Sequence, residues 1–168
     1  MKMRSFISCL GAIFICIAAS AFVQNAQSQQ PSLSHAEVDS IVRKFQSSYA
    51  DTFDRRDAKG MAALFTDDAT FQNEGDVIQG WAAIGANLVR LMAKLLPGTR
   101  LEARATSSRV IALDVIACHG ISHRIVSNGT FTEMYFVRVL VRQGDRWLLA
   151  ATQIALPSPI PKPSSQPK

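Results

Sequence analysis

The chain has 168 residues, of which 48% are hydrophobic and 18% are charged, and its formal net charge is +5. This length allows one ordinary domain with a hydrophobic core, and the composition excludes a chain that is disordered throughout. Lys and Arg do not cluster around aromatic residues, so no nucleic-acid partner is predicted.

The first 21 residues have the pattern of a cleavable secretory signal. A basic start precedes an apolar run from Phe6 to Ala19, and the small residues Ala19, Ser20 and Ala21 allow cleavage after Ala21. We therefore predict a signal peptide at residues 1–21 and a periplasmic or secreted protein without a stable membrane anchor. An uncleaved N-terminal anchor is the alternative, but the run is at the short end of what a bilayer span requires.

Two segments of low complexity border the predicted domain. Residues 22–31 are mostly polar, which predicts a flexible linker, and residues 157–168 contain five of the seven prolines, which predicts a disordered tail. The folded domain is thus predicted at residues 32–156. Two of the three Cys lie in the signal, and Cys118 is interpreted as a small buried apolar residue without a disulfide partner.

Two helices are predicted at the start of the domain. Ser34 and Glu37 form a capping box, and apolar residues recur behind it at helical spacing as far as Phe53. Asp57 is suited to cap a second, short helix. The acidic pair in Asp67-Asp68-Ala69 favours a turn that ends this helix, because short acidic side chains bond to nearby backbone N–H groups.

A short strand, a turn and a third helix are predicted next. Residues 69–73 indicate the strand, and Gly75-Asp76 indicates the turn. Apolar residues from Trp81 to Leu95 recur at helical spacing, and Pro97-Gly98 ends the predicted helix.

From Arg100 onward the apolar residues follow a period of two, and β-branched and aromatic residues become frequent. Asn128-Gly129 and Gln143-Gly144-Asp145 are typical hairpin turns. Helices followed by consecutive antiparallel strands predict an α+β fold, in which a long N-terminal helix and two shorter ones cover a strongly curved, cone-shaped antiparallel sheet. The four strands are predicted near residues 101–113, 115–126, 131–142 and 147–156.

Three stretches of the sequence, residues 49–71, 79–84 and 144–150, resemble the nuclear transport factor 2-like superfamily. The SnoaL-like and ketosteroid-isomerase-like branch is the most similar part of it, including the small proteins labelled SgcJ/EcaC. The resemblance implies a cystatin-like cone that holds a small, mostly apolar organic molecule, in a homodimer formed through the sheet. It does not define a reaction, because the superfamily includes isomerases, cyclases, dehydratases and proteins that only bind.

The comparison with ketosteroid isomerase implies roles for three positions. Tyr49 matches the tyrosine that donates to the developing oxyanion. Tyr135 matches the second acid donor, on a strand whose Val137 and Val139 are predicted to face inward. Asn73 occupies the position of the base, and an amide cannot act as a general base at neutral pH, so the isomerase mechanism does not transfer unchanged.

Two other residues are candidates for the missing base. Glu133 is predicted on the strand face of Tyr135, where an apolar cone would raise the pKa of its carboxyl; the alternative is a salt-bridged or solvated carboxylate at the rim. His119 is the second candidate and is predicted to be more interior than His123; the alternative is a core or interface histidine. On one strand these histidines would be about 13 Å apart, too far to chelate one ion, so no metal site is predicted.

Two classes of function stay open. In one, a pair of tyrosines polarises a carbonyl while Glu133 or His119 moves a proton, giving cofactor-free isomerase, cyclase or dehydratase chemistry. In the other, the domain is a non-catalytic binding or interaction module. The sequence has no dinucleotide-binding glycine motif or Cys pair, so neither oxidoreductase activity nor a cofactor is expected. The predicted ligand-binding residues are Tyr49, Asn73, Trp81, Tyr135 and Gln153. The alternatives are ordinary core packing for Tyr49, helix packing for Trp81 and a dimer surface for Gln153.

Overall fold

The computed structural model describes residues 33–73 and 75–157. The predicted signal peptide, the linker and the Pro-rich tail beyond residue 157 lie outside these residues, so they stay predictions. Within the described part, no helix has the length and apolar character needed to cross a membrane.

Helix α1 (His35–Asp54) begins at the predicted capping box. The hydroxyl of Ser34 accepts a hydrogen bond from the backbone N–H of Glu37 at 3.3 Å, and Glu37 Oε2 accepts one from the backbone N–H of Ser34 at 2.8 Å. These bonds satisfy donors that every helix start leaves free. The face of α1 that packs into the core consists of Val38, Val42, Phe45, Gln46, Tyr49, Thr52 and Phe53.

Helix α2 (Ala58–Ala62) begins at Asp57 as predicted, because Asp57 Oδ1 accepts a hydrogen bond from the backbone N–H of Gly60 at 2.7 Å. The turn predicted at Asp67-Asp68-Ala69 is wrong, since strand β1 (Phe65–Asn73) runs through these residues. The register of β1 shifts between Phe65 and Thr70, and this irregularity exposes the two acidic side chains.

Strand β2 (Asp76–Gln79) pairs antiparallel with the end of β1 and was not predicted. It has only four residues, mostly exposed, so the sequence shows no alternation there. Helix α3 (Trp81–Ala93) follows as predicted but ends before Leu95.

Four long strands complete the fold and match the predicted ones closely. Gly129 and Gly144, in the two predicted turns, have φ angles of 85° and 60°, which favour glycine. All six strands form one sheet in the order β2-β1-β6-β5-β4-β3, and β1 is parallel to β6. The α+β fold with a curved sheet is therefore confirmed. The long strands are β3 (Arg100–Ala112), β4 (Val115–Ile125), β5 (Phe131–Gln143) and β6 (Arg146–Ala155).

The predicted orientation of β5 is wrong by one residue. Val137 is 52% exposed and Tyr135 is 45% exposed, so these residues lie on the outer face of the sheet. The period of two was correct. The face that packs inward includes Arg138, and this charged residue makes it look like the polar face in the sequence. The inner face of β5 consists of Met134, Phe136, Arg138 and Leu140, all buried.

Two hydrogen bonds fasten α1 to β3. Asp54 Oδ1 accepts from the backbone N–H of Leu101, and Asp39 Oδ1 accepts from the hydroxyl of Ser108, both at 2.8 Å. The helix segment between the two aspartates spans about 22 Å, and the strand segment between Leu101 and Ser108 spans about 23 Å. Helix α1 therefore lies antiparallel to β3 and is held to it at both ends.

Candidate functional site

A cleft of about 740 Å³ lies between α1 and β3, along the segment that the two hydrogen bonds delimit. Its volume is in the range of sites that hold small organic molecules. Apolar side chains form part of its wall, and one amide, that of Gln46, adjoins the protein interior. Four exposed charged residues also line the cleft: Asp39, Arg43, Glu102 and Arg104. The residues on which the argument depends are Val42, Gln46 and Ala50 of α1, and Leu101, Ala103 and Ala105 of β3.

A second cleft of about 300 Å³ adjoins a different face of α1, next to Trp147 at the start of β6. Lys44, Asp145 and Arg146 are among the residues that line it. It contains neither Gln46 nor a side chain of β3, so we treat the larger cleft as the candidate site.

Arg138 is buried behind the wall of the larger cleft. Its side chain is 1% exposed, and its guanidinium carbon lies 4.1 Å from the ring centre of Tyr49 and 4.4 Å from that of Phe136. Its Nη1 donates a hydrogen bond to Oε1 of Gln46. The cation is thus held between α1 and the sheet by two aromatic rings and one amide.

No carboxylate of the described residues compensates this charge: the single ion pair there joins His123 to Glu133. Burial lowers the pKa of Arg138, and the neighbouring Tyr49 and Cys118 partly oppose that effect. A guanidinium nevertheless keeps its proton at physiological pH. An isolated buried ion costs several kcal/mol of folding free energy, so Arg138 calls for a functional explanation.

Three buried polar atoms around Arg138 have no hydrogen-bond partner within residues 33–73 and 75–157. They are Nε of Arg138, Nε2 of Gln46 and Oγ1 of Thr152. Thr152 of β6 lies directly opposite Arg138 in the sheet register, and Cys118 of β4 lies opposite it on the other side. The two nitrogens can only donate hydrogen bonds, whereas the Thr152 hydroxyl can donate or accept, so the unpaired donors of the cluster outnumber its acceptors.

Tyr49 and Cys118 are the other titratable groups of this cluster. Burial raises the pKa of the Tyr49 hydroxyl, and Arg138 opposes part of that shift. Burial likewise raises the pKa of the Cys118 thiol. Both groups are therefore neutral at physiological pH. The prediction that Cys118 is a buried apolar residue is confirmed.

Glu133 and Tyr135 share a strand face as predicted, but it is the outer face. Glu133 Oε1 accepts a hydrogen bond from the Tyr135 hydroxyl at 3.1 Å, and its Oε2 lies 3.1 Å from Nε2 of His123. Hydrogen bonds from His123 and Tyr135 lower the pKa of Glu133, the reverse of the rise predicted for a base in an apolar cone. The interior placement of Glu133 and Tyr135 is thus wrong, and the salt-bridged alternative for Glu133 describes the structure.

His119 also lies on the outer face and is exposed. Its Nδ1 is 3.2 Å from the hydroxyl oxygen of Thr106. The prediction that it is more interior than His123 is wrong, because its neighbours Cys118 and Gly120 take the inward positions on β4.

The remaining predicted ligand-binding residues lie away from Arg138. Asn73 is at the end of β1, paired with Asp76 and Ile154, and lines neither cleft. Trp81 begins α3 and is 43% exposed. Gln153 is exposed on the outer face, opposite Val137.

Of the predicted set, Tyr49 is the residue that contacts the buried arginine. Arg138, Gln46 and Thr152 were missed. A signal existed for Arg138, because it continues the alternation of Met134 and Phe136 with Leu140, where an arginine is unexpected.

The model of the SnoaL-like domain family matches residues 34–153, and the chain therefore belongs to this family. The predicted resemblance to the nuclear transport factor 2-like superfamily is confirmed by family and fold, whereas the SgcJ/EcaC label stays a prediction. A search of curated proteins finds no match.

Solved structures of several bacterial proteins are similar in fold. A cystatin-like domain of unknown function from Nostoc punctiforme is 20% identical with a TM-score of 0.66, over 76% of this chain and 82% of that one. An NTF2-like protein of unknown function from Pseudomonas putida is 18% identical with a TM-score of 0.64, over 77% of this chain and 93% of that one. An NTF2-like protein from Novosphingobium aromaticivorans is 25% identical with a TM-score of 0.57, over 72% of this chain and 82% of that one.

Proposed function

We propose that this protein is an exported SnoaL-like domain that binds a small organic molecule in the cleft between α1 and β3 and has no catalytic activity of its own. The observation that carries the proposal is the cleft of about 740 Å³, whose wall includes an amide in contact with a buried, uncompensated cation. A concave site that combines apolar side chains with convergent polar groups is typical of small-molecule sites.

The positions of the titratable groups favour binding over catalysis. Isomerase, cyclase or dehydratase chemistry requires a base within reach of the substrate. Among the described residues, Glu133 and His119 lie on the outer face, and the titratable neighbours of Arg138 are a neutral phenol and a neutral thiol. The two carboxylates that line the cleft, Asp39 and Glu102, are exposed to solvent, and Asp39 accepts a hydrogen bond from the hydroxyl of Ser108. This arrangement favours the non-catalytic alternative.

Native mass spectrometry of the protein purified from the cells that produce it tests the proposal. We expect a small molecule to be retained under native conditions and released on denaturation. Ala103→Trp, which fills the cleft, should abolish retention, whereas Ala82→Trp at an exposed position of α3 should not. An empty wild-type protein, or a ligand still retained by Ala103→Trp, would contradict the site. Conversion of the released ligand by the protein would contradict the absence of catalysis.

We also propose that two copies pair through the outer face of the sheet. This face carries exposed apolar residues, among them Phe131, Tyr135 and Val137. Val137→Glu should shift the protein from dimer to monomer in sedimentation velocity, whereas Val89→Glu on the exposed side of α3 should leave the dimer intact. A wild-type monomer would refute the pairing.

Export rests on the N-terminal sequence pattern alone. N-terminal sequencing of the periplasmic or secreted protein should begin at Phe22. A chain that keeps its first 21 residues would instead support the uncleaved anchor.

A further inference from the structure

Gln46 separates the cleft from Arg138. It lines the cleft, and its Oε1 accepts a hydrogen bond from Nη1 of Arg138. Its long side chain starts from α1, whereas the arginine belongs to the sheet. A ligand in the cleft would reach the guanidinium where the Gln46 side chain turns aside to another rotamer.

The environment of Arg138 is incomplete in charge as well as in hydrogen bonds. The guanidinium has no carboxylate partner among the described residues, and three buried polar atoms of the cluster have no hydrogen-bond partner there. A bound water would leave the positive charge uncompensated. A carboxylate would neutralise it, and its two oxygens accept several hydrogen bonds while carrying no proton that needs an acceptor.

We infer that the ligand of the cleft is a small organic carboxylate and that Arg138 binds its carboxyl group at the place now occupied by the amide of Gln46. This inference rests on the proposed function and defines the chemical class of the ligand. The carboxylate takes over the hydrogen bond from Nη1, and Nε and the Thr152 hydroxyl supply further donors. The apolar body of the ligand lies in the cleft against Val42, Ala103 and Ala105.

The chemistry of the site favours a carboxylate over a phosphate. Its planar group matches the planar fork of a guanidinium, and a single negative charge balances a single buried cation. The amide of Gln46 has the same planar shape and presents one acceptor oxygen to Arg138. It is therefore an internal substitute for the ligand and competes with it.

Isothermal titration of the full protein, freed of any retained ligand, tests the inference with two probes of the same shape. Phenylacetate carries the carboxylate, phenylacetamide is its neutral counterpart, and acetate is included as the smallest carboxylate, all at constant ionic strength. Wild type should bind phenylacetate about tenfold or more tightly than the amide. Arg138→Met should lose this preference. Gln46→Ala, which removes the internal competitor, should bind phenylacetate more tightly than wild type.

Two further variants separate a binding role from a structural one. Arg90→Gln on α3 loses the same charge outside both clefts and should bind as wild type does. Arg138→Lys keeps the charge but not the planar fork, so its binding should be weaker than that of wild type while its circular dichroism is unchanged. It also replaces Arg138→Met as the informative variant if the latter does not fold.

Each outcome decides the question. Equal affinity for the acid and the amide, or undiminished carboxylate binding by Arg138→Met, overturns the inference and leaves the cleft as a binding site. Binding of none of the probes by wild type also overturns it. In that case the retained-ligand experiment with Ala103→Trp decides the proposed function separately.

Discussion

At the scale of single residues, Arg138 is the feature that ordinary folding requirements do not explain. Two aromatic rings and one amide contact it, but no opposite charge does so within the described chain. Cation–π contacts recover about 2 kcal/mol each when desolvated, which offsets part of the several kcal/mol that burial of an ion costs. A structural arginine would normally have a carboxylate in such a place.

The first prediction follows from this balance. Arg138→Met fills a similar volume without a charge. The free energy of unfolding of the ligand-free variant should therefore not fall below that of ligand-free wild type by more than about 1 kcal/mol. Urea unfolding followed by circular dichroism measures the difference. A loss of about 3 kcal/mol or more would mean that the arginine is chiefly structural.

The sequence predicted which residues are buried where the local pattern distinguishes an inner from an outer face. It failed where the pattern shows only that residues alternate between two faces. Tyr49 continues the apolar stripe of α1, and this stripe is buried in the structure. The alternation of β5 is equally clear, but it does not say which of the two sets faces inward. Because Arg138 makes the inner set look polar, Tyr135 and Glu133 were predicted to face inward.

At the scale of secondary structure, Gly120 lets β3 and β4 approach closely. A Cβ added at this position would lie 2.7 Å from both Cα of Ala105 and the ring of Phe136, and closer still to the carbonyl oxygen of Arg104. The register of β3 shifts just after Ala105, which brings its backbone over the glycine.

Gly120→Ala should therefore destabilise the protein by about 1–3 kcal/mol, because backbone atoms cannot move aside as a flexible side chain can. The same substitution at Gly85 of α3 is the control, since its added Cβ would meet nothing nearer than 3.7 Å. Thermal unfolding of both variants measures the contrast. Equal melting temperatures for the two would show that the strands are not packed this closely.

The cross-strand contact of Glu133 with His123 and Tyr135 gives a prediction for acid stability. These hydrogen bonds lower the pKa of Glu133 below its ordinary value of 4.5, so the folded state favours the ionised carboxyl. The resulting stabilisation is present above that ordinary value and is lost as the pH falls through the lower pKa of the folded state.

Glu133→Gln should accordingly melt below wild type at pH 6, and the gap should narrow as the pH falls below 4.5. Asp51→Asn, at an exposed position of α1, serves as the control and should not show a closing gap. A gap that stays constant across this range would mean that Glu133 contributes no ionised contact.

The predictability of the elements follows their length and regularity. The four long strands have a sustained period of two and glycine-containing turns, so they were predicted almost to their ends. Strand β2 is too short to show a period. Strand β1 extends through its exposed acidic residues because it pairs with β6, which is far along the chain. The local sequence does not show this pairing, so these residues were predicted as a turn.

At the scale of the whole molecule, the cleft is a product of tertiary structure. The hydrogen bonds of Asp39 with Ser108 and of Asp54 with Leu101 join residues far apart in sequence and fix α1 along β3. No local pattern predicts such a distance between a helix and a strand. The sequence predicted that a cone with a pocket exists, but the location of the cleft and of its cation required the folded chain.

The last prediction concerns the coupling of this cleft to the stability of the entire domain. A ligand that binds the folded state alone, present at about 100 times its dissociation constant, adds about 2.7 kcal/mol to the free energy of unfolding. For a domain of this size that raises the melting temperature by about 5–15 °C. Protein refolded from denaturant after removal of its retained ligand should melt lower by this amount and recover when the released ligand is returned. Arg138→Met should show no such recovery, because the contact that couples the ligand to both α1 and the sheet is missing. Recovery of the variant to the same extent as wild type would show that Arg138 does not contribute to binding of the ligand.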